Sequence, residues 1–310
     1  MLCISAGSRN AHFHHESVFM FQGSMPALIT PFKGHDVDFD AFEKLVERQI
    51  KAGSGAVVPC GTTGESATLS HEEHRAVIER CVDIVRGRVP IIAGCGSNST
   101  AEAIGLVKHA KKVGADAALT VCPYYNRPDQ EGMAAHFTAI AEAVQMPLVL
   151  YNVPSRTSSD IQPETVAELS RHPNIIGIKD ATGDLGRVTK HRHQCEEGFV
   201  LLSGDDPSAV GFNSMGGNGC ISVTANVAPE LMANLQKACQ ADEYDKAREI
   251  EKQVYQLHRA LFRSPSPGPT KYALSLLGLC EPTIRLPLLS PSSEVKAEIE
   301  AAMKVAGLLG

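Results

Sequence analysis

Tryptophan is absent from the 310 residues, and aromatic side chains make up only 5% of them. Long apolar runs are missing too, since no stretch approaches the roughly 18 residues that a membrane helix needs. Nor is there an excess of positive charge, because 29 basic residues stand against 35 acidic ones. This balance excludes a broad cationic surface. We therefore expect no nucleic-acid partner and no membrane partner.

The nine cysteines form neither a disulfide framework nor a metal motif. The closest pair, Cys81 and Cys95, is 14 residues apart, so the sequence contains no CxxC. Cys60, Cys122 and Cys220 lie in apolar runs, where cysteine packs as a small hydrophobic residue. We expect no bound metal and a reducing, cytoplasmic location.

The first segment of the chain, residues 1–19, lacks the apolar core of a secretory signal. His12, His14 and His15 could be metal ligands, but a polar leader is the better interpretation of so short a motif. Regular patterning starts at Met20, which is a candidate translation start. We expect a disordered leader over residues 1–19 and exclude it from the fold reasoning.

Eight short apolar runs alternate with helix-periodic segments from residue 27 onward. Their starts lie 20 to 35 residues apart, which fits one strand and one crossover helix per repeat. Runs that are apolar on both faces are typical of a parallel sheet covered by helices. The pattern predicts a (β/α)8 TIM barrel over residues 20–242, and a doubly wound sheet is the alternative. The runs are 27–30, 55–59, 90–94, 117–122, 147–151, 175–179, 199–203 and 219–223.

Strand patterns end near residue 225, and only helical patterns follow. We expect helices at 229–240, 242–262, 269–279 and 292–306, interrupted by a proline-rich segment. No low-complexity linker separates them from the barrel. The sequence therefore predicts a small C-terminal helical domain over residues 243–310.

Lys179 closes the sixth apolar run, at the expected carboxyl end of a strand. Burying a cationic ammonium there is costly, which favours an uncharged, nucleophilic amine. Such a lysine in a barrel suits Schiff-base chemistry on a carbonyl substrate. The alternative is that the side chain turns away from the strand end into solvent. Position alone does not decide between the two.

Two further strand ends carry groups that complement this lysine. Tyr151 is placed to exchange protons with a group at Lys179, and the guanidinium of Arg156 suits a carboxylate. The turn at 61–65 presents hydroxyls and backbone amides that could hold a second carboxylate or relay a proton. Three strand ends with complementary chemistry indicate an active site.

Five segments of the chain share their order and spacing with a known family. They are Gly61-Thr-Thr-Gly-Glu-Ser66, Pro123-Tyr-Tyr-Asn126, Tyr151-Asn-Val-Pro-Ser-Arg-Thr157, Ile176-Gly-Ile-Lys-Asp-Ala-Thr-Gly183 and Ser203-Gly-Asp-Asp206. On these segments the sequence resembles the dihydrodipicolinate synthase family, among the pyruvate-dependent class I aldolases related to N-acetylneuraminate lyase. The resemblance implies a lyase of lysine and diaminopimelate synthesis that forms a carbon–carbon bond without a cofactor or metal.

The resemblance implies that Lys179 forms an imine with pyruvate, whose enamine attacks L-aspartate 4-semialdehyde. Tyr151 matches the proton-relay tyrosine, and Thr62 matches the threonine that connects it to a second tyrosine. That second tyrosine matches Tyr125, which in the family enters a neighbouring subunit's site, so a homotetramer of two tight dimers is implied. Positions matching substrate contacts or the backbone around the site are Thr63 for the pyruvate carboxylate, Arg156 for the semialdehyde carboxylate, Gly204 and Ile221.

A further set of residues resembles the feedback pocket of bacterial family members, which implies L-lysine as an inhibitor. The motif 71–74 is HEEH and lacks HExxH spacing, so we do not interpret it as a metal site. The alternative is helix capping and polar interface filling, and Glu102, three residues after Ser99, already has a capping explanation. The set comprises Ser66, Ala67, His71, His74, Asn98, Glu102 and Tyr124.

Two other functions stay open at this point. A sugar-acid or sialic acid aldolase would keep the imine and change the aldehyde, although sialic acid lyase-like relatives usually lack Arg156 in this loop. A regulatory or structural subunit would bind an effector without catalysis, against which the intact catalytic set argues. Two departures from the family pattern leave that set intact: Asp180 replaces a more familiar glutamate, and segment 264–271 has serine where many relatives have asparagine.

Overall fold

The computed structural model describes residues 20–310. The leader expected at residues 1–19, with its histidines, lies outside the described residues. Nine strands occur in this part of the chain, two of them in a short hairpin. They are β1 (Gly23–Pro26), β2 (Phe32–Lys33), β3 (Asp36–Val37), β4 (Ile92–Gly94), β5 (Ala117–Val121), β6 (Leu148–Asn152), β7 (Ile175–Asp180), β8 (Val200–Ser203) and β9 (Gly219–Ser222).

Seven parallel strands form the main sheet, in the order β1-β9-β8-β7-β6-β5-β4. An eighth segment closes the gap between β4 and β1. There Val58 bridges Ala27 on one side, and Val57 bridges Ile91 on the other, both in parallel. The sheet therefore closes on itself, and the predicted (β/α)8 barrel with strand-alternating helices is confirmed.

The first strand differs from the expected run at 27–30 and instead covers Gly23–Pro26. Glycine, serine and proline are poor strand formers, so the apolar pattern pointed to the following residues. Pairing with Gly219–Ser222 decides the register, with Met25 opposite Ile221. Tertiary pairing has overridden local propensity at this strand.

Twelve α-helices cover the outside of the barrel and build the C-terminal region of the described chain. Several begin at the capping residues that the sequence indicated, including Asp38 and Ser70. The helices are α1 (Phe39–Ala52), α2 (His71–Val85), α3 (Thr100–Val113), α4 (Gln130–Ala143), α5 (Pro154–Thr157), α6 (Pro163–Leu169), α7 (Leu185–Gln194), α8 (Ala209–Ser214), α9 (Pro229–Gln240), α10 (Tyr244–Ala260), α11 (Gly268–Leu276) and α12 (Ser293–Val305).

The strands separate two apolar layers. Residues such as Val149, Val200 and Leu202 fill the inside of the barrel. Their sequence neighbours Leu148, Leu150 and Leu201 pack outward against the helices. Because successive strand residues face opposite sides, this division shows which side chains can reach the barrel interior.

The last helices pack together and onto the barrel. Helices α10, α11 and α12 share an apolar cluster with Ile29 and Leu45 of the barrel. The domain boundary expected at residue 242 falls in the turn between α9 and α10. The shared cluster predicts that both parts unfold together.

Candidate active site

Lys179 lies at the carboxyl end of β7 and is 6% exposed. The register of β7 against β6 shifts between Leu148 and Val149, so that these residues pair with Ile175 and Gly177. This β-bulge leaves Ile176 as the extra residue of its strand. A bulge re-aims every side chain that follows it, because strand residues alternate between two faces.

The bulge determines the direction of Lys179. It places Gly177 opposite the inward-facing Val149 and Ile178 opposite the outward-facing Leu150. Lys179 then pairs with Tyr151, which belongs to the interior layer. A regular strand starting from the outward-facing Ile175 would instead have turned the lysine toward the helices.

Tyr151 is the nearest aromatic partner of the lysine. The Nζ atom of Lys179 lies 4.1 Å from the centroid of the Tyr151 ring, and the tyrosine is 6% exposed. A ring face at this distance attracts a cationic amine. The pair joins two adjacent strands at the carboxyl-end mouth of the barrel.

Gly204 and Ile221 follow on the next two strands. A Cβ atom at Gly204 would lie 2.9 Å from Cε of Lys179 and 2.8 Å from Cβ of Ala181. Only glycine therefore leaves room for the lysine side chain at this point. Ile221 is 1% exposed and belongs to the same interior layer as Tyr151.

Thr62 and Thr63 lie in a 3-10 turn over Thr62–Gly64, after the segment that closes the barrel. Thr63 is buried, whereas Thr62 is exposed. The carbonyl of Gly64 accepts a hydrogen bond of 2.7 Å from the hydroxyl of Thr30, which fixes the turn against the first strand's loop. The backbone N–H of Glu65 donates to the carbonyl of Thr62 at 3.1 Å.

Glu65 anchors this turn to the C-terminal helices, a role that sequence reasoning missed. Its carboxylate forms a fully buried ion pair with Lys271 of α11 and accepts a 3.1 Å hydrogen bond from the backbone N–H of Arg285. Glu65 also adopts a left-handed conformation, with φ of 55°. An acidic residue within a buried turn was the available signal, but its partner lies more than 200 residues away.

Tyr125 and Arg156 lie on the surface. Tyr125 is 92% exposed with φ of 70°, and Arg156 is exposed in the short helix α5. Among residues 20–310, no ion pair involves Arg156. Within these residues its guanidinium is thus not engaged in the surface salt bridge that was the alternative interpretation.

Two pairs of residues from the expected effector pocket are in contact, His71 with Glu102 and Asn98 with Tyr124. Nε2 of His71 lies 3.3 Å from Oε1 of Glu102. The side-chain amide of Asn98 donates to the carbonyl of Tyr124 at 3.2 Å. His74 is 6% exposed, and burial lowers its pKa to about 4, so its imidazole is neutral near pH 7. Ser66 and Ala67 lie in the 3-10 turn Ser66–Thr68 directly after Glu65.

Helix capping accounts for only part of the contacts that Glu102 makes. Ser99 does accept a hydrogen bond from the backbone N–H of Glu102, at 3.5 Å. The carboxylate of Glu102, however, contacts the hydroxyl of Ser97 and the imidazole of His71. The reciprocal half of a capping box is present at Ser70 and Glu73 instead. The Glu102 carboxylate therefore contacts Ser97 and His71 rather than the N-terminus of its own helix.

None of the helices within residues 20–310 is both long enough and apolar enough to cross a membrane. Groups of three or more histidine, cysteine, aspartate or glutamate side chains placed to hold a metal ion are likewise absent from these residues.

A closed parallel barrel with polar residues gathered at the carboxyl ends of its strands is the architecture of a barrel enzyme. The dihydrodipicolinate synthetase family model matches residues 20–306. The 4-hydroxy-tetrahydrodipicolinate synthase of Hyphomonas neptunium is 62% identical over 291 residues, covering 93% of this chain and 99% of that protein. The chain therefore belongs to the dihydrodipicolinate synthetase family and is a lyase, as the motifs had indicated.

Solved structures agree with this placement. The chloride-inhibited dihydrodipicolinate synthase of Acinetobacter baumannii, in complex with pyruvate, is 45% identical with a TM-score of 0.91. The comparison covers 93% of this chain and 99% of that one. The enzyme of Cyanidioschyzon merolae with lysine bound is 38% identical with a TM-score of 0.90, and the coverage is 94% and 99%.

Proposed function

We propose that the chain condenses pyruvate, held as an imine on Lys179, with L-aspartate 4-semialdehyde. The observation that carries this proposal is the inward-facing, buried Lys179 beside Tyr151 at the barrel mouth. An amine held inside the barrel mouth is placed to attack a ketone and form the imine. The pyruvate complex of the Acinetobacter baumannii relative supports the choice of keto acid.

The covalent steps balance without a cofactor. Nζ of Lys179 adds to C2 of pyruvate, and loss of water from the carbinolamine gives the imine. Removal of a methyl proton then produces an enamine, whose carbon attacks the aldehyde carbon of the semialdehyde. The semialdehyde's own amine next displaces the Lys179 nitrogen from C2, which closes the ring and frees the lysine.

Tyr151 moves protons in these steps. Its ring lies against the Lys179 amine, so its hydroxyl is close to where the carbinolamine gains and loses protons. We assign Thr62 and Tyr125 to the relay that continues from Tyr151. Because Tyr125 is 92% exposed in a single chain, this assignment needs a second subunit to bring Tyr125 into a site.

The two substrate carboxylates are assigned to different strand ends. Thr63, buried in its turn, holds the carboxylate of pyruvate, and Arg156 holds that of the semialdehyde. Gly204 and Ile221 shape the wall around the imine. Arg156 thereby favours an aldehyde with a carboxylate over the neutral sugar portions that other pyruvate aldolases accept.

Trapping and turnover together test this proposal. Borohydride with pyruvate is expected to add the mass of pyruvic acid less one oxygen atom to the Lys179 peptide, and Lys179→Ala should abolish the addition. Purified enzyme should then consume pyruvate with aspartate semialdehyde and not with sugar-acid or sialic-acid aldehydes. Arg156→Ala should impair only the semialdehyde reaction. Efficient turnover of a sugar aldehyde would instead favour the sugar-acid or sialic acid alternative.

We also propose feedback inhibition by L-lysine at the pocket formed by His71, Asn98 and Glu102. A carboxylate, an amide and an imidazole suit a ligand with two ammonium groups and one carboxylate. The pocket adjoins Tyr125 through its neighbour Tyr124, so an occupant there can alter the proton relay. The lysine-bound relative from Cyanidioschyzon merolae supports this assignment.

The assembly that we propose is a homotetramer of two tight dimers in the cytoplasm. The exposed Tyr124 and Tyr125 form the surface through which one chain would complete its partner's site. Eight cysteines in the described range are free thiols, which suits a reducing compartment. Sedimentation of the purified enzyme tests the assembly, and a fully active monomer would contradict it.

A further inference from the structure

The residues that follow Lys179 and Tyr151 in their strands face the other side of the sheet. Asp180 and Asn152 are paired in register, as Lys179 and Tyr151 are. Asp180 is 3% exposed, and Asn152 is fully buried. Because consecutive strand residues share a backbone, a displacement of Asp180 also displaces Lys179. A displacement of Asn152 likewise displaces Tyr151.

The guanidinium of Arg187 in helix α7 binds Asp180 directly and is linked to Asn152 through Asp160. Nε of Arg187 donates to Oδ2 of Asp180 at 3.1 Å. Nη1 donates to a carboxylate oxygen of Asp160 at 3.2 Å, and Nη2 donates to the carbonyl of Ile161. The side chains of Arg187 and Asp180 are only 9% and 2% exposed, so solvent weakens the contact between them little.

Asp160 carries the connection on to the tyrosine strand. Its Oδ1 accepts a hydrogen bond of 2.8 Å from the side-chain amide of Asn152. The backbone N–H of Ile161 donates to the carbonyl oxygen of the same side chain at 3.3 Å. Arg187 thus links β7, which carries Lys179, to β6, which carries Tyr151. It also links both strands to the segment at 160–161, which follows helix α5.

Asp180 is an ionised anchor within this network. Burial alone would raise its pKa, but the neighbouring His191 imidazole, the hydrogen bonds from Thr182 and the charge of Arg187 outweigh it and hold the pKa below its usual value. Thr182 donates through its N–H at 2.8 Å and its hydroxyl at 2.6 Å. The carbonyl of Asp180 also accepts from the N–H of Gly204 at 2.7 Å, which fixes the wall beside the lysine.

We propose that Arg187 is a positioning residue, which sets the distance between the Lys179 amine and the Tyr151 ring from behind the sheet. The inference rests on the proposed roles of Lys179 and Tyr151. Lysine cannot replace this arginine, because one ammonium cannot reproduce three donors in a planar fork. Asp180, which replaces a more familiar glutamate, belongs to this network, because its carboxylate accepts hydrogen bonds from Arg187 and Thr182.

The test measures turnover per competent site in Arg187→Lys. Borohydride trapping with pyruvate counts the chains that still form the imine, and kcat is divided by that count. We expect kcat per trapped site to fall by about 10- to 100-fold, since a displacement near 1 Å can have such an effect. Asp160→Asn, which leaves the Arg187–Asp180 pair in place, should give a smaller loss and serves if Arg187→Lys folds poorly.

Arg192→Lys is the matched control on the same helix. Its guanidinium also binds several acceptors, namely the carbonyls of Phe199 and Gly216, but at the opposite ends of the strands. It should lower the folded fraction without changing kcat per trapped site. Normal kcat per trapped site in both Arg187→Lys and Asp160→Asn would overturn the positioning role. If wild-type enzyme itself were not trapped by pyruvate, the proposed function would fail instead.

Discussion

The side chain of Lys179 fills the space that a Cβ atom at position 204 would need. Every other residue would place its Cβ atom within 3 Å of the lysine's Cε or of Ala181. A glycine in this position therefore serves the lysine side chain rather than a turn. Gly105 of α3 is a useful contrast, because nothing lies within 4 Å of the Cβ atom it lacks.

Gly204→Ala should slow imine formation without preventing folding. The added methyl pushes Lys179 from its position, and overpacking of about 1–3 kcal/mol corresponds to a rate loss of roughly 5- to 150-fold. The rate of borohydride-dependent trapping by pyruvate measures this directly. Gly105→Ala is the control and should leave trapping unchanged. Equal rates in both variants would contradict the packing explanation for Gly204.

At the scale of elements, sequence periodicity predicts most strands and helices, but it does not predict the β-bulge that orients Lys179. The run at 175–179 indicates a strand, but its five letters contain no sign that Ile176 is an extra residue. That bulge depends on how β7 pairs with β6, and pairing is a property of two strands together. The same limit explains why Arg187 was missed: its partners lie in two separate segments, at 160–161 and at Asp180.

The segments 66–74, 97–102 and 124–126, which include the first turns of α2 and α3, are linked by side-chain contacts. Local signals gave each helix start correctly, including the Ser70 cap. Glu102, however, turns its carboxylate to His71 and Ser97, which capping rules alone would not predict. Spatial contact between loops, rather than spacing within one of them, brings these groups together.

Glu102→Ala should weaken lysine inhibition by about 10-fold or more, because a charge-assisted hydrogen bond contributes on the order of 1.5–3 kcal/mol. Uninhibited turnover should change little. Inhibition curves for L-lysine at fixed pyruvate provide the measurement. Glu131→Ala, which removes an exposed acid from the first turn of α4, is the control. Unchanged inhibition in Glu102→Ala would rule out the pocket assignment.

At the scale of the whole molecule, the C-terminal helices hold the turn at 62–65 through charge. Lys271 of α11 is fully buried against Glu65, and its Nζ lies 3.9 Å from the centroid of the Phe32 ring. Arg285 provides a second link between the two parts of the chain, because its guanidinium pairs with Glu73 of α2. The barrel and the helical region should therefore unfold as one unit.

Lys271→Met should lower the free energy of unfolding by about 3–5 kcal/mol, because it leaves the Glu65 carboxylate buried without a partner. Adding Glu65→Gln to it should restore part of the loss, since no buried charge remains. Urea unfolding followed by circular dichroism gives these values. Lys246→Met breaks an exposed pair with Glu243 and should change stability by less than about 1 kcal/mol. Equal effects at both lysines would contradict this account.

Acid should destabilise the fold through the buried His136. Burial lowers the pKa of His136 to about 4, whereas the unfolded chain has a value of about 6.5. Between these values the unfolded state binds more protons, so stability present above about pH 6.5 is lost as the pH falls toward 4.

His136→Gln should remove up to about 3 kcal/mol of that pH dependence. The free energy of unfolding, measured from pH 7 downward, should decline less steeply in the variant than in wild type. His193→Gln, at an exposed position on α7, is the control and should keep the wild-type slope. A wild-type slope in His136→Gln would show that other groups drive acid unfolding.

A crystal soaked with pyruvate tests the central assignment most directly. We expect continuous electron density from Nζ of Lys179 to C2 of the keto acid, inside the barrel mouth and beside the Tyr151 ring. An unmodified amine that points away from bound pyruvate would contradict the account.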